Sequence, residues 1–160
     1  MKRFFHAPPY RGSFLHSAPL PSLQDWPQLR HPYCVIQPVT TRDKSRPRRA
    51  LTYCDWFAVL SWLERERLLG VVVNDETTEA PPGLLNLSGK LSILQTLAVM
   101  RSAAGYLGID SFLSVLAAQL PLRVFQIKTN RQHCHDWAHL YFAPHRAFPF
   151  LVSEIAPPER

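Results

Sequence analysis

The sequence has no run of ~20 apolar residues, so no segment reads as a membrane-spanning helix. Nor is a signal peptide expected in its first residues: Met1-Lys2-Arg3-Phe4-Phe5 is basic then apolar, but His6, Pro8 and Arg11 interrupt it. The Gly-rich patterns of a dinucleotide-binding turn and of a P-loop are both absent, which excludes a dehydrogenase or an ATPase by motif. There are only three cysteines, Cys34, Cys54 and Cys134, odd in number and irregularly spaced, so no disulfide framework is indicated. Without such a framework, a reducing cytosol is the expected location. No internal repeat is visible. No standard zinc spacing occurs. His133-Cys134-His135-Asp136 with His139 matches a metal set in composition alone, and the expectation is no metal. Cys54 falls on a helix with no evident base beside it, which disfavours a nucleophile.

What is present is a chain of 160 residues with 46% hydrophobic content, enough for one domain with a real core. Its 15 prolines are unevenly placed, with Pro8, Pro9, Pro19, Pro21, Pro27 and Pro32 ahead of the first clear strand. Proline fixes φ and lacks a donor, so residues 1–32 are expected to form an extended or irregular arm. Such an arm could wrap the domain or contact a partner. A domain over 33–152 and a loose tail over 153–160 follow. The net charge is +6, and Arg42, Lys44, Arg46, Arg48 and Arg49 against Asp43 put much of it in one stretch. Such a stretch favours anionic partners, although a solvated loop accounts for it equally well.

Periodicity orders the rest. Tyr33–Val39 reads as a strand that should stop near Pro38. Thr52 and Asp55 suit a helix start, and Tyr53, Trp56, Leu60 and Leu63 share a face of a helix over 53–67. Gly70 should stop the helical region, and Gly70–Val73 is a short buried strand. Asn74–Gly83 is an acidic loop and Leu84–Leu87 a weak strand. Ser92 and Gln95 form a capping box for a helix whose inner side is expected to include Ile93, Leu94, Leu97, Ala98 and Ala104. Gly105–Ile109 is a strand. Asp110 and Ser111 cap a helix with Leu113, Leu116, Ala117 and Leu120 on one face, ending at Pro121. Leu122–Lys128 is the last clear strand, and Trp137–Phe142 is left open between strand and helical turn. Strands alternating with helices predict an α/β fold, a Rossmann-like parallel sheet with helices on both faces.

In such a sheet ligands bind outside the carboxyl ends of the strands. The basic loop after Val39, Asn74-Asp75-Glu76 after Val73, and Asp110-Ser111 after Ile109 should all lie on that edge. A helix starting at Asp110-Ser111 would present amides to a phosphate, unless these residues are simply its cap.

With these residues placed, the chain resembles the C-terminal, nucleotide-sugar-binding half of a GT-B glycosyltransferase of the heptosyltransferase-like family. The resemblance is carried by Leu87-Ser88-Gly89-Lys90-Leu91-Ser92-Ile93-Leu94, the helix after it, Gly108-Ile109-Asp110-Ser111, Phe112–Ala118 and Pro121. It continues more loosely upstream through Val35-Ile36-Gln37-Pro38, Arg48-Arg49, Trp56-Phe57 and Gly70–Val73. The resemblance implies binding of a nucleotide-diphospho-sugar as donor substrate, with no other cofactor. By position it implies Arg48 and Arg49 at phosphate or sugar, Asp110 and Ser111 at the donor, and Glu76 at the ribose. Three positions depart from the family pattern: Phe112 replaces a glycine, Val115 a histidine and Leu51 a tryptophan. No catalytic residue is assigned. The family's N-terminal domain has no counterpart in residues 1–32, so transfer would need a partner chain or self-association. Two other readings stay open: a non-enzymatic interaction module that reuses the fold, and nucleic-acid binding through the basic loop. The lack of interleaved aromatics disfavours the second.

Overall fold

The computed structural model describes residues 19–39, 51, 53–109, 111–120, 122–127 and 147–150, with backbone alone at 53–55, 118, 126–127 and 147–150. The expectations for Thr40–Arg49, Thr52, Asp110, Pro121, Trp137–Phe142, the histidines around Cys134 and the terminal tail lie outside them.

Among the described residues six strands form one sheet in the order β3-β2-β1-β4-β5-β6, every neighbouring pair parallel. They are β1 (Tyr33–Gln37), β2 (Leu69–Val72), β3 (Leu85–Asn86), β4 (Gly105–Ile109), β5 (Arg123–Ile127) and β6 (Ala147–Phe150). The helices α1 (Tyr53–Glu66), α2 (Ile93–Arg101) and α3 (Phe112–Ala118) are the crossovers between parallel strands. This is the expected Rossmann-like α/β sheet, with β6 as an addition. Pro149 within β6 suits its place at the sheet edge, where a missing donor is tolerated.

Alternation along the strands splits the core in two. Tyr33, Val35, Val71, Val73, Tyr106 and Val124 point to one face and pack with Leu97, Val99 and Met100 of α2 and Leu113 and Ala117 of α3. Cys34, Ile36, Leu107 and Ile109 point to the other and pack with Ala58, Val59, Trp62 and Leu63 of α1. Leu20, Leu23, Trp26 and Leu29 of the described part of the arm pack against the first cluster. A 3-10 turn at Pro27–Arg30 lies within that stretch. These residues therefore cover the domain's own core.

Several local expectations are corrected. The buried stripe of α1 is Ala58, Val59, Trp62 and Leu63, so of the expected face Leu63 is buried while Trp56 and Leu60 are half-buried, and the Tyr53 side chain lies outside the described residues. The helix ends at Glu66, within a residue of the expected end, and Arg67 closes it. Arg67 takes φ 56. Its amide donates to the Glu64 carbonyl and the Leu68 amide to the Leu63 carbonyl, the two bonds of a Schellman cap. Gly70 sits in β2 as expected, where a Cβ would come 2.5 Å from Leu84 Cδ2 and 2.8 Å from Leu63 Cδ1. On α2, Leu97 and Ala98 are buried as expected, but Ile93 and Leu94 are exposed. Ala104 lies beyond the helix and is exposed. The Ser92–Gln95 capping box is present in full.

Candidate functional site

The order 3-2-1-4-5-6 reverses direction between β1 and β4. A crevice opens at such a switch point, because the two flanking crossovers leave in opposite directions. Gln37, the last residue of β1, lies there beside Gly108 of β4. Gln37 is 6% exposed, a polar end to a strand that is otherwise apolar. Its Oε1 accepts from the Tyr106 hydroxyl at 2.6 Å and also from the Ser111 hydroxyl. The Tyr106 and Ser111 oxygens are themselves 3.5 Å apart.

Glycine at 108 makes this arrangement possible. A Cβ there would meet the Tyr106 hydroxyl and come 2.6 Å from its Cζ. The bare backbone lets the phenol extend along β4 to the carboxyl edge. Ser111 is the N-cap of α3. Its Oγ accepts from the Ser114 amide at 3.2 Å, and Ser114 Oγ accepts from the Ser111 amide at 3.1 Å. Of the two roles open to Ser111, the structure shows the cap.

At the carboxyl end of β2, Asn74 is buried and Asp75 and Glu76 are exposed. Asn74 Nδ2 donates to the Glu76 carbonyl at 3.2 Å, while Asn74 Oδ1 is sealed from solvent with no hydrogen-bond partner. Glu76 holds this turn through its backbone.

The loop after β2 is clamped to the turn after β3. The Gly89 amide donates to the Asn74 carbonyl at 3.0 Å. Ser88 Oγ accepts from the Thr78 amide at 3.0 Å, and Asn86 Nδ2 donates to the Thr78 carbonyl at 2.8 Å. Lys90 Nζ donates to the Asn86 carbonyl at 2.8 Å.

Of the residues singled out in the sequence, Ser111 and Glu76 stand on the same edge, at β4 and β2. Arg48, Arg49 and Asp110 lie outside the described residues. Asn74 lies in the polar segment expected on this edge, while Gln37 and Tyr106 do not stand out as site residues in the sequence. The available signal is a glutamine closing the strand Tyr33–Ile36.

The titrating side chains at the opposite end of β1 read as core. Burial pushes the Tyr33 phenol up to about 12, a hydrogen bond with Ser102 partly offsets this, and its hydroxyl donates to the Val99 carbonyl at 2.6 Å. Burial also pushes the Cys34 thiol well up, against a smaller opposing effect of Arg123, which leaves it un-ionised and unsuited to attack. Among the described residues no cluster of three or more His, Cys, Asp or Glu could hold a metal. Among them, too, no helix is long and apolar enough to cross a membrane.

No family model matches the chain, and no curated protein matches it. Solved structures do. The chain is similar to the bacterial iron-containing dodecameric glycosyltransferase TibC from enterotoxigenic E. coli H10407. The TM-score is 0.51 at 20% identity, over 60% of this chain and 26% of that one. It is equally similar to dodecameric iron-containing heptosyltransferase TibC in complex with ADP-D-beta-D-heptose, over 61% and 27%. The chain thus spans about a quarter of the length of these solved chains. Likeness at this identity shows the fold alone, a Rossmann-like α/β sheet also found in part of these glycosyltransferase chains.

Proposed function

We propose that this chain is the nucleotide-sugar-binding half of a GT-B glycosyltransferase, holding a nucleotide-diphospho-sugar at the β1/β4 crevice. The observation that carries the reading is the switch point with polar groups gathered in it. Gln37, Tyr106 and Ser111 converge where an open parallel sheet binds ligands. The fold neighbour in complex with ADP-D-beta-D-heptose supports the same class of donor.

In this reading the nucleoside extends from the crevice toward β2. There Asn74 Oδ1, buried and without a donor, would accept from a ribose hydroxyl once the turn at Asp75-Glu76 moves aside to admit it. Such an acceptor costs about 1–3 kcal/mol while unmet, so a ligand hydroxyl that reaches it gains affinity. Arg48, Arg49 and Asp110, assigned by the resemblance, would face the diphosphate and the sugar. Positive charge there would stabilise the diphosphate as it leaves with the bonding electron pair. The base that takes the proton from the acceptor hydroxyl would come from a second body, either a partner chain or another copy.

Calorimetric titration with ADP-, GDP- and UDP-sugars tests this directly. At least one should bind with a micromolar dissociation constant, and its 2′-deoxyribose counterpart should bind about fivefold more weakly. A folded chain that binds none of them would end the reading.

One observation favours a second reading, a non-enzymatic interaction module. Ile93, Leu94 and Phe112 are exposed in the first turns of α2 and α3, at the carboxyl edge where an anionic ligand would sit. The same titration separates the two, because a pure interaction module gives no nucleotide-dependent heat.

A further inference from the structure

We propose that the Gln37 carboxamide is the group that reads the diphosphate in the β1/β4 crevice, with Tyr106 as the positioning residue that aims it. The proposal rests on the nucleotide-binding reading above and names the group that carries it.

A carboxamide is planar, with an acceptor oxygen on one side and two N–H donors on the other. Here Oε1 takes both hydroxyl protons that reach Gln37, one from Tyr106 and one from Ser111. Both bonds come from β4 and the residues just after it, so Nε2 is turned away from that pair. Among the described residues no acceptor meets Nε2. A glutamine 6% exposed and fixed through its oxygen has two oriented donors on its other side, at the switch point. Phosphoryl oxygens are the acceptors that a nucleoside diphosphate brings to this place.

Ser111 cannot serve that purpose without breaking the lock. Its proton goes to Gln37 and a lone pair is taken by the Ser114 amide. The donor contact that the resemblance implies for Ser111 therefore moves to Gln37. Tyr106 touches no ligand in this scheme. Its phenol, 0% exposed, holds Oε1 at 2.6 Å and so prevents the amide from turning over.

The test uses the full chain, with ADP and inorganic pyrophosphate as probes. Binding is read by calorimetry and by the side-chain amide signals in proton–nitrogen spectra. Wild type should bind both probes and shift the Gln37 Nε2 pair. Tyr106→Phe keeps the ring and loses the hydroxyl. It should weaken ADP about five- to tenfold while melting within a few degrees of wild type. Gln37→Glu can still accept from both hydroxyls but has no donors and adds negative charge, so it should weaken ADP by about a hundredfold or more. ADP binding that both variants leave unchanged overturns the inference and leaves the nucleotide reading standing. Weakened binding with an unmoved Gln37 amide pair in the wild type also overturns it. A wild type that binds neither probe overturns both.

Discussion

Gly89→Ala should destabilise the fold by about 3 kcal/mol, lowering the melting temperature by roughly 10 °C. Two costs add at this position. Gly89 has φ +67, where a side chain is strained. A Cβ there would also lie 2.6 Å from Thr77 Oγ1 and 2.8 Å from the Thr77 amide nitrogen. A hydroxyl can rotate away, but a backbone nitrogen moves only with its loop. That loop is the one clamped to the β3 turn through Ser88, Asn86 and the Gly89–Asn74 bond. Relieving the contact therefore loosens the clamp and shifts Asn74. Gly83 is the control: it has φ +87, and a Cβ added there would meet nothing within 4 Å. Gly83→Ala therefore carries the conformational cost alone, about 1 kcal/mol. Thermal melts of the two variants side by side separate strain from clash, and equal melting temperatures would contradict the account.

Trp62→Ala should cost about 3–5 kcal/mol, the range for removing a large buried aromatic. Trp62 is buried on α1 and meets Phe125 of β5 edge-on, with centroids 5.2 Å apart and planes at 68°. The Arg123 guanidinium lies 5.2 Å from the Phe125 ring centroid, so three residues are arrayed on this face of the sheet. Removing the indole opens a void between α1 and the sheet that neighbouring side chains cannot refill. Leu60→Ala, at a half-buried position of the same helix, should cost under about 1 kcal/mol. Urea unfolding of both variants checks the pair, and a larger loss for Leu60→Ala would refute the observed orientation of α1.

That orientation marks where sequence reading stops. The ends of α1 are close to legible from helical spacing, but the helix carries apolar residues on more than one stripe: Trp56, Phe57, Leu60, Trp62 and Leu63. Which stripe is buried depends on Phe125, some sixty residues away, and spacing within α1 carries no trace of it. Ile93 and Leu94 escape the expected face for a related reason. They fit the periodicity of α2 but fall in its first turn, at the rim of the sheet. By contrast, β1 and β4 are legible because apolar runs meet clear stops at Pro38 and at the cap of α3. The start of α2 is legible because Ser92 and Gln95 state it chemically. Strand β6 is not, because it follows a long stretch without clear period and contains Pro149. The site is legible as an edge and not as residues. Gln37 acquires its meaning from Tyr106 and Ser111, 69 and 74 positions away in the chain.

Hydrogen–deuterium exchange with and without saturating ADP tests the central claim, a nucleotide site at the β1/β4 switch point. The account predicts slower exchange in 34–39, 72–76 and 106–114, with α1 from Ala58 to Glu66 unchanged. Protection confined to other segments, or none at saturation, would contradict it.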